Sequence, residues 1–208
     1  VKLKSAILKS ATLMSSHPQP IETEIKIRWT GSPDQAHAHI RAAGFPLLEA
    51  RTLEADQLYD RDPPELRPAN KLLRLRQTVA EDGTTHATVT YKGPATVTRY
   101  KSREEIEFDV SSADRYITVL ERLGYRPGFR YEKYRTKYAI DQQPGIVTVD
   151  ETPIGVFLEL EGPAEWIDAT ALKLGFQAAD YMTESYSSLY LKHREYYPEL
   201  PEHMVFLQ

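Results

Sequence analysis

In the stretch IETEIKIRW, residues 21–29, polar and apolar side chains alternate with a period of two. Glu22, Glu24, Lys26 and Arg28 fall on one face, and Thr23, Ile25, Ile27 and Trp29 on the other. Such alternation predicts a β-strand with one face in a core. The same pattern recurs along the chain. Arg74 and Arg76 share a face in LLRLR, with Leu73 and Leu75 opposite. Arg103, Glu105, Glu107 and Asp109 share a face, with Ile106 and Phe108 opposite. Lys133, Arg135 and Lys137 share another, and Glu159 and Glu161 a further one, with Leu158 and Leu160 opposite. The runs LLEARTLEADQLYD, HATVTYKG and GIVTVDE also read as strands.

Helices are marked by their punctuation. The first follows GSP, where Ser32 can cap and Pro33 suits the first turn, and it ends at Gly44. The second starts after Ser111 and Ser112, carries Tyr116, Val119, Leu120 and Leu123, and ends at Gly124. The third starts near Pro163, carries Trp166, Ile167, Leu172 and Leu174, and ends at Gly175. Glycine just past a helix adopts the left-handed cap without steric cost. A last helix is predicted through TESYSSLYLKHREYY. Turn signals at EDG, KGP and QQPG separate several of the strands. About eight strands and four helices result, with hairpin-length connections that favour antiparallel pairing.

Composition narrows the class. The chain has 208 residues, 41% of them hydrophobic and 27% charged, which suits one globular domain or two small ones. The net charge of −4, from 26 basic and 30 acidic residues, does not suggest a nucleic-acid partner. The chain has no cysteine, which excludes disulfides and thiolate metal sites and suits a reducing, cytoplasmic setting. Lys4 and Lys9 break the apolar run near the N-terminus, and no stretch reaches the ~18 apolar residues of a membrane span. Residues 1–20 are expected to be a disordered tail with Met14 as a natural start, residues 21–195 the folded domain, and residues 196–208 a C-terminal tail.

The charged faces admit two readings. One is a sheet with a solvated outer face, where neighbouring opposite charges pair for up to about 1 kcal/mol each. The other is a barrel with a charged interior. Dry burial of so many ions would cost several kcal/mol each, so that interior must hold water or a polyanion with metal ions. The residue choice fits the second: rows of Arg and Lys suit phosphate oxygens, and paired glutamates suit Mg²⁺ or Mn²⁺. Tyr91 and Tyr134 alternate away from the charged face and read as core.

These residues resemble a known family. ETEIK fits the ExExK signature of the CYTH superfamily, the triphosphate tunnel metalloenzymes. DQLYD, LLRLR, VTYKGP, SREEIEFDV, YEKYRTKY and VTVDETPIGVFLELEG follow in the family's order, over residues 21 to about 190. LGYRPGFRYEKYRTKY looks most like the class IV adenylate cyclase branch. The chain departs from that branch in two places: His17 is followed by Pro18 rather than Phe, and the DETPIGVF turn is one residue short.

The resemblance implies an α+β fold, an eight-stranded antiparallel β-barrel with flanking helices, binding a small-molecule triphosphate with Mg²⁺ or Mn²⁺. By motif, Glu22, Glu24, Glu159 and Glu161 would hold metal, with Glu105 or Glu107 completing the shell and Asp150 beside them. Lys26, Arg74, Arg76, Lys92 and Arg135 would hold phosphates, Lys26 and Arg135 as the catalytic pair, with Arg103 and Lys133 joining them. The implied reaction is ATP to cyclic AMP and pyrophosphate. The alternatives are hydrolysis of tripolyphosphate, thiamine triphosphate or a nucleoside triphosphate, and non-catalytic polyphosphate binding. No nucleic-acid or membrane partner is expected, and the assembly admits a homodimer.

Overall fold

The computed structural model describes residues 21–207. The expectations for His17, Met14 and the N-terminal tail lie outside the described residues. In chain order the elements are β1 (Ile21–Trp29), α1 (Pro33–Ala42), β2 (Leu47–Arg61), β3 (Leu72–Val79), β4 (Thr85–Lys92), β5 (Thr96–Val97) and β6 (Lys101–Asp109). There follow α2 (Ala113–Arg122), β7 (Tyr125–Tyr138), β8 (Ile146–Thr152), β9 (Gly155–Glu161), α3 (Ala164–Lys173) and α4 (Tyr186–Tyr196).

The sheet runs β1–β9–β8–β7–β2–β3–β4–β6, and β6 pairs back onto β1. All pairs are antiparallel, and the eight strands close into a barrel. The two-residue β5 pairs on β6 outside this ring. Helix starts follow local chemistry. Ser32 and Gln35 form a reciprocal capping box on α1, Ser112 caps α2 and Ser185 caps α4. Gly44, Gly124 and Gly175 end the first three helices with φ of 84°, 86° and 82°.

The apolar core lies outside the barrel wall. Ile25, Ile27, Val149 and Leu158 pack against Ile40 of α1 and Ile167 of α3. Leu75 and Val89 pack against Leu120 of α2. A third cluster, with Tyr131, Phe157, Tyr186, Leu189 and Met204, seats α4 against one end of the barrel. Val119, Leu123 and Leu172, expected from the sequence as helix-periodic apolar residues, face solvent. Tyr134 and Tyr91 lie half-buried on the outward face; Arg51 stacks over the Tyr134 ring at 3.4 Å.

Because β8 pairs with β7 only from Tyr134 onward, the stretch before it is open on that side. The C-terminal segment fills it. Met204 bridges Tyr131 in parallel and is fully buried, and its amide and carbonyl bond Arg130 O and Glu132 N at 3.1 and 2.8 Å. Among the described residues no helix is long and apolar enough to cross a membrane.

With the apolar face outside, the charged faces line the lumen. The fold thus adopts the charged interior rather than the solvated outer sheet.

Candidate functional site: a charged tunnel

Strand register brings opposite charges together across neighbouring strands. Lys26 lies opposite Glu159, Glu22 opposite Arg103, Lys92 opposite Glu105, Glu54 opposite Lys133, and Arg135 opposite Asp150. Since side chains alternate faces along a strand, each of these pairs points inward together.

The lumen has two chambers. The smaller, 60 Å³, is lined mainly by cations: Lys26, Lys92, Lys101, Arg103 and Lys133, with Ser185 and Tyr186 of the α4 start. The larger, 460 Å³, is lined by Glu22, Glu105, Glu107 and Glu161, with Lys137 and Thr148. Arg74, Arg76 and Arg135 border both. Charge is therefore sorted along the tunnel, with an arginine belt between a cationic and an acidic end.

The cations are held from behind by carboxylates with almost no solvent access. Asp56 takes Arg76 Nε and Nη2 at 2.9 and 3.3 Å, and Arg74 Nε lies 3.3 Å away. Glu54 lies 3.1 Å from Arg76 and 3.4 Å from Lys133. Asp150 accepts from Lys133 at 2.9 Å, from Arg135 Nε at 2.7 Å and from the Tyr186 hydroxyl at 2.7 Å. The rings of Tyr186 and the ammoniums of Lys26 and Lys133 stack at 5.3 and 5.1 Å. These contacts fix the guanidinium planes before any ligand arrives, which lowers the ordering cost of binding.

The expected metal ligands divide. Glu24 binds Lys101 at 2.8 Å and Lys26 at 3.4 Å; Glu159 binds Lys26 at 3.2 Å and Arg135. Burial alone would raise both carboxyls, but Lys26 and Lys101 hold Glu24, and Arg135 and Lys26 hold Glu159, well below the usual carboxylate range. Glu22 and Glu105 share Lys92, at 2.7 and 2.6 Å. Burial and the hydrogen bond that protonated Glu105 donates to Glu22 push Glu105 up to about 7, so this pair titrates as a unit with Glu105 keeping the proton. Burial and the nearby Glu22 charge push Glu161 up to about 7. Glu107 sits at the rim, its side chain 48% exposed, bonded to Thr90 and Arg74. Of the two alternatives, Glu105 is the one that meets Glu22. Asp150 has both oxygens engaged by Lys133, Arg135 and Tyr186 and is fully buried.

Among the described residues no three acidic or histidine side chains are spaced to hold an ion, because each carboxylate except Glu161 is turned toward a cation. The donor set nevertheless fits one. Glu22, Glu24, Glu105, Glu159 and Glu161 offer hard oxygens, and the burial and nearby Glu22 that raise both Glu105 and Glu161 would be offset by a divalent cation held there.

Four residues escaped the sequence pattern. Lys101 is in phase with Arg103 and Glu105, so the alternation could have included it. Glu54 and Asp56 alternate on β2, but Thr52 and Leu58 flank them and mask the charged face. Tyr186 comes from a helix start, and no strand periodicity reaches it. Arg103 lines the small chamber and makes no ion pair with any described residue.

Residues 20–186 match the CYTH domain family model. This chain belongs to the CYTH family. It is 28% identical over 141 residues to the "Putative adenylate cyclase" MJ0240 of Methanocaldococcus jannaschii, covering 68% of this chain and 76% of that protein. The fold of the PH1819 protein of Pyrococcus horikoshii superposes with a TM-score of 0.71 at 25% identity, over 83% of this chain and 99% of that one. The Hippeastrum protein HpAC1, described as having a dominant triphosphatase activity, shares the fold with a TM-score of 0.56 at 13% identity, over 88% of this chain and 97% of that one. The Methanocaldococcus relative carries an adenylate cyclase name, and the solved structures share the barrel fold described here.

Proposed function

We propose that this chain is a divalent-metal-dependent enzyme that takes the triphosphate of ATP into the tunnel and forms cyclic AMP and pyrophosphate. The observation that carries triphosphate binding is the arginine belt of Arg74, Arg76 and Arg135, pre-oriented by buried Asp56 and Asp150 between the two chambers. Guanidinium planes fixed in this way can each contact two phosphate oxygens. Lys26, Lys92, Arg103 and Lys133 add point charges along the same path. The name of the Methanocaldococcus relative supports the cyclase reaction. The absence of cysteine suits a reducing cytoplasm.

In this reading the ribose 3′-hydroxyl gives its proton to water as its oxygen bonds to the α-phosphorus, the bond from that phosphorus to the bridging oxygen breaks, and pyrophosphate leaves. The chain's contribution is to align the phosphates and neutralise the charge that builds on the leaving group. Lys26 and Arg135, joined through Glu159, are the catalytic pair for that charge. Glu22, Glu24, Glu105, Glu159 and Glu161 would hold Mg²⁺ or Mn²⁺, which supplies charge stabilisation on phosphate oxygens.

Hydrolysis is the second reading. The large chamber has room for water beside the arginine belt, and the Hippeastrum protein with this fold is described as having a dominant triphosphatase activity. The deciding experiment is product identification after incubation with ATP and, separately, with tripolyphosphate, each with Mg²⁺ or Mn²⁺. The cyclase reading requires cyclic AMP and pyrophosphate from ATP. Orthophosphate as the only product would replace it with the hydrolase reading.

A further inference from the structure

Glu24 holds two ammonium groups with one oxygen. Lys101 Nζ lies 2.8 Å from Glu24 Oε1, and Lys26 Nζ lies 3.4 Å from the same atom. All three side chains are nearly out of solvent, with residue exposures of 8% for Glu24, 7% for Lys101 and 3% for Lys26. Lys26 has a second carboxylate, Glu159, at 3.2 Å. Lys101 pairs with Glu24 alone among the described residues. Glu24 Oε2 takes no hydrogen bond from any described residue. The Glu24 carboxylate thus offers a free oxygen to the lumen while its other oxygen keeps Lys101 from any phosphate in the small chamber.

We propose that Glu24 couples metal binding to triphosphate binding, and that Lys101 is a phosphate ligand released when a divalent cation takes Glu24. This inference rests on the triphosphate reading above. A dication on Oε2 repels both ammoniums across a few ångströms and competes for the single carboxylate charge. Lys26 has Glu159 as a second partner and Lys101 has none among the described residues, so the loss of Glu24 falls on Lys101, already inside the cationic chamber beside Lys92 and Arg103. Coupling of this kind is reciprocal: triphosphate that draws Lys101 away leaves Glu24 available and strengthens metal binding equally. The paired apo state also spares the fold an uncompensated buried ammonium at Lys101 while the tunnel holds no ligand.

The test is calorimetric binding of tripolyphosphate, in chelator and in excess Mg²⁺, to wild type and three variants. Glu24→Gln unmasks Lys101, so its affinity in chelator should rise about tenfold over wild type, the usual scale of such a coupling. Its response to Mg²⁺ should flatten. Measured well above pH 7, where Glu161 is ionised, Glu161→Gln removes the same charge from a residue with no lysine partner among the described residues and gives the background effect of the field. A gain for Glu24→Gln no larger than that of Glu161→Gln would overturn the proposal. Lys101→Met should lose clearly more affinity in Mg²⁺ than in chelator, and this holds even if Glu24→Gln does not fold. Equal loss in both conditions would overturn the role of Lys101. If wild type binds no tripolyphosphate in either condition, the triphosphate reading itself falls and takes this inference with it.

Discussion

Asp56 and Arg76 face each other across β2 and β3, joined by two hydrogen bonds of 2.9 and 3.3 Å, and Asp56 has no solvent access. The carboxylate acts as a backstop. It fixes the guanidinium plane, with Glu54 3.1 Å from Nη1 on the other side, where the group borders both chambers.

Arg76→Ala therefore has two separable effects. Tripolyphosphate affinity should fall by about 1.5–3 kcal/mol, the scale of a charged hydrogen bond. The melting temperature without ligand should also fall, since Asp56 loses a partner in a buried pair, a change that costs about 3–5 kcal/mol. Arg74 still lies 3.3 Å from Asp56 and limits the damage. Thermal shift with and without tripolyphosphate separates the terms, because ligand binding to the native state raises stability. An unchanged ligand shift would remove Arg76 from the site.

Glu159 links Lys26 and Arg135, the two cations assigned to catalysis. Glu159→Gln keeps the shape and removes a ligand charge. Most metal-dependent turnover should be lost, with the half-saturating Mg²⁺ concentration shifted upward. A variant with wild-type turnover at limiting Mg²⁺ would exclude Glu159 from the metal shell.

Much of this was legible from alternation. Lys26, Arg74 and Glu159 each sit in a strand whose inward positions are charged and whose outward positions are apolar, so face and phase follow from sequence. What alternation does not contain is which face is inside. A solvated sheet and a charged barrel share the same period, and closure of β6 onto β1 decides between them. Ion-pair choice was also hidden. Glu105 and Glu107 are equivalent by period, yet Glu107 lies at the rim while Glu105 meets Glu22 and Lys92. Asp150 looks like another acidic ligand in sequence, but Tyr186, Lys133 and Arg135 saturate it from three different parts of the chain.

The acidic end sets a pH dependence. Glu105 and Glu161 sit up at about 7, above the ordinary value of 4.5. A carboxyl raised in this way binds its proton more tightly folded than unfolded. The unfolded chain ionises first, so these two groups remove stability as pH rises from about 4.5 to 7. Glu24, Glu54 and Glu159 are held low instead, and their contribution is lost as pH falls below the unfolded value, outside this window. Burial lowers His37, which works in the opposite direction near its ordinary 6.5. Comparing wild type with Glu161→Gln cancels that background. Melting temperature across pH 4.5 to 7 should decline more steeply in metal-free wild type than in Glu161→Gln, and Mg²⁺ should reduce the difference. Parallel curves would show that Glu161 does not carry a raised pKa.

The segment after α4 carries no strand or helix, yet it completes the barrel wall. Met204 is fully buried among Tyr131, Phe157, Leu189 and Tyr190, and its backbone bonds Arg130 and Glu132 where β8 leaves β7 unpaired. The same cluster seats Tyr186, whose hydroxyl holds Asp150, which in turn holds Lys133 and Arg135. Met204→Ala should cost about 2–5 kcal/mol, as for other buried long side chains cut to alanine. Removing residues 198–208 should cost more, since it also strips the bonds to Arg130 and Glu132 and exposes α4 on its inner side. Both changes lie outside the tunnel and leave every charged lumen residue in place. Tripolyphosphate affinity measured well below the melting temperature should nevertheless fall in the truncated chain, through loosening of Tyr186 and Asp150. Denaturant midpoints and ligand titrations on the same samples check the two effects. A truncated chain with wild-type stability would show that the segment merely rests on β7. One with lower stability but wild-type affinity would show that α4 keeps Asp150 in place without it.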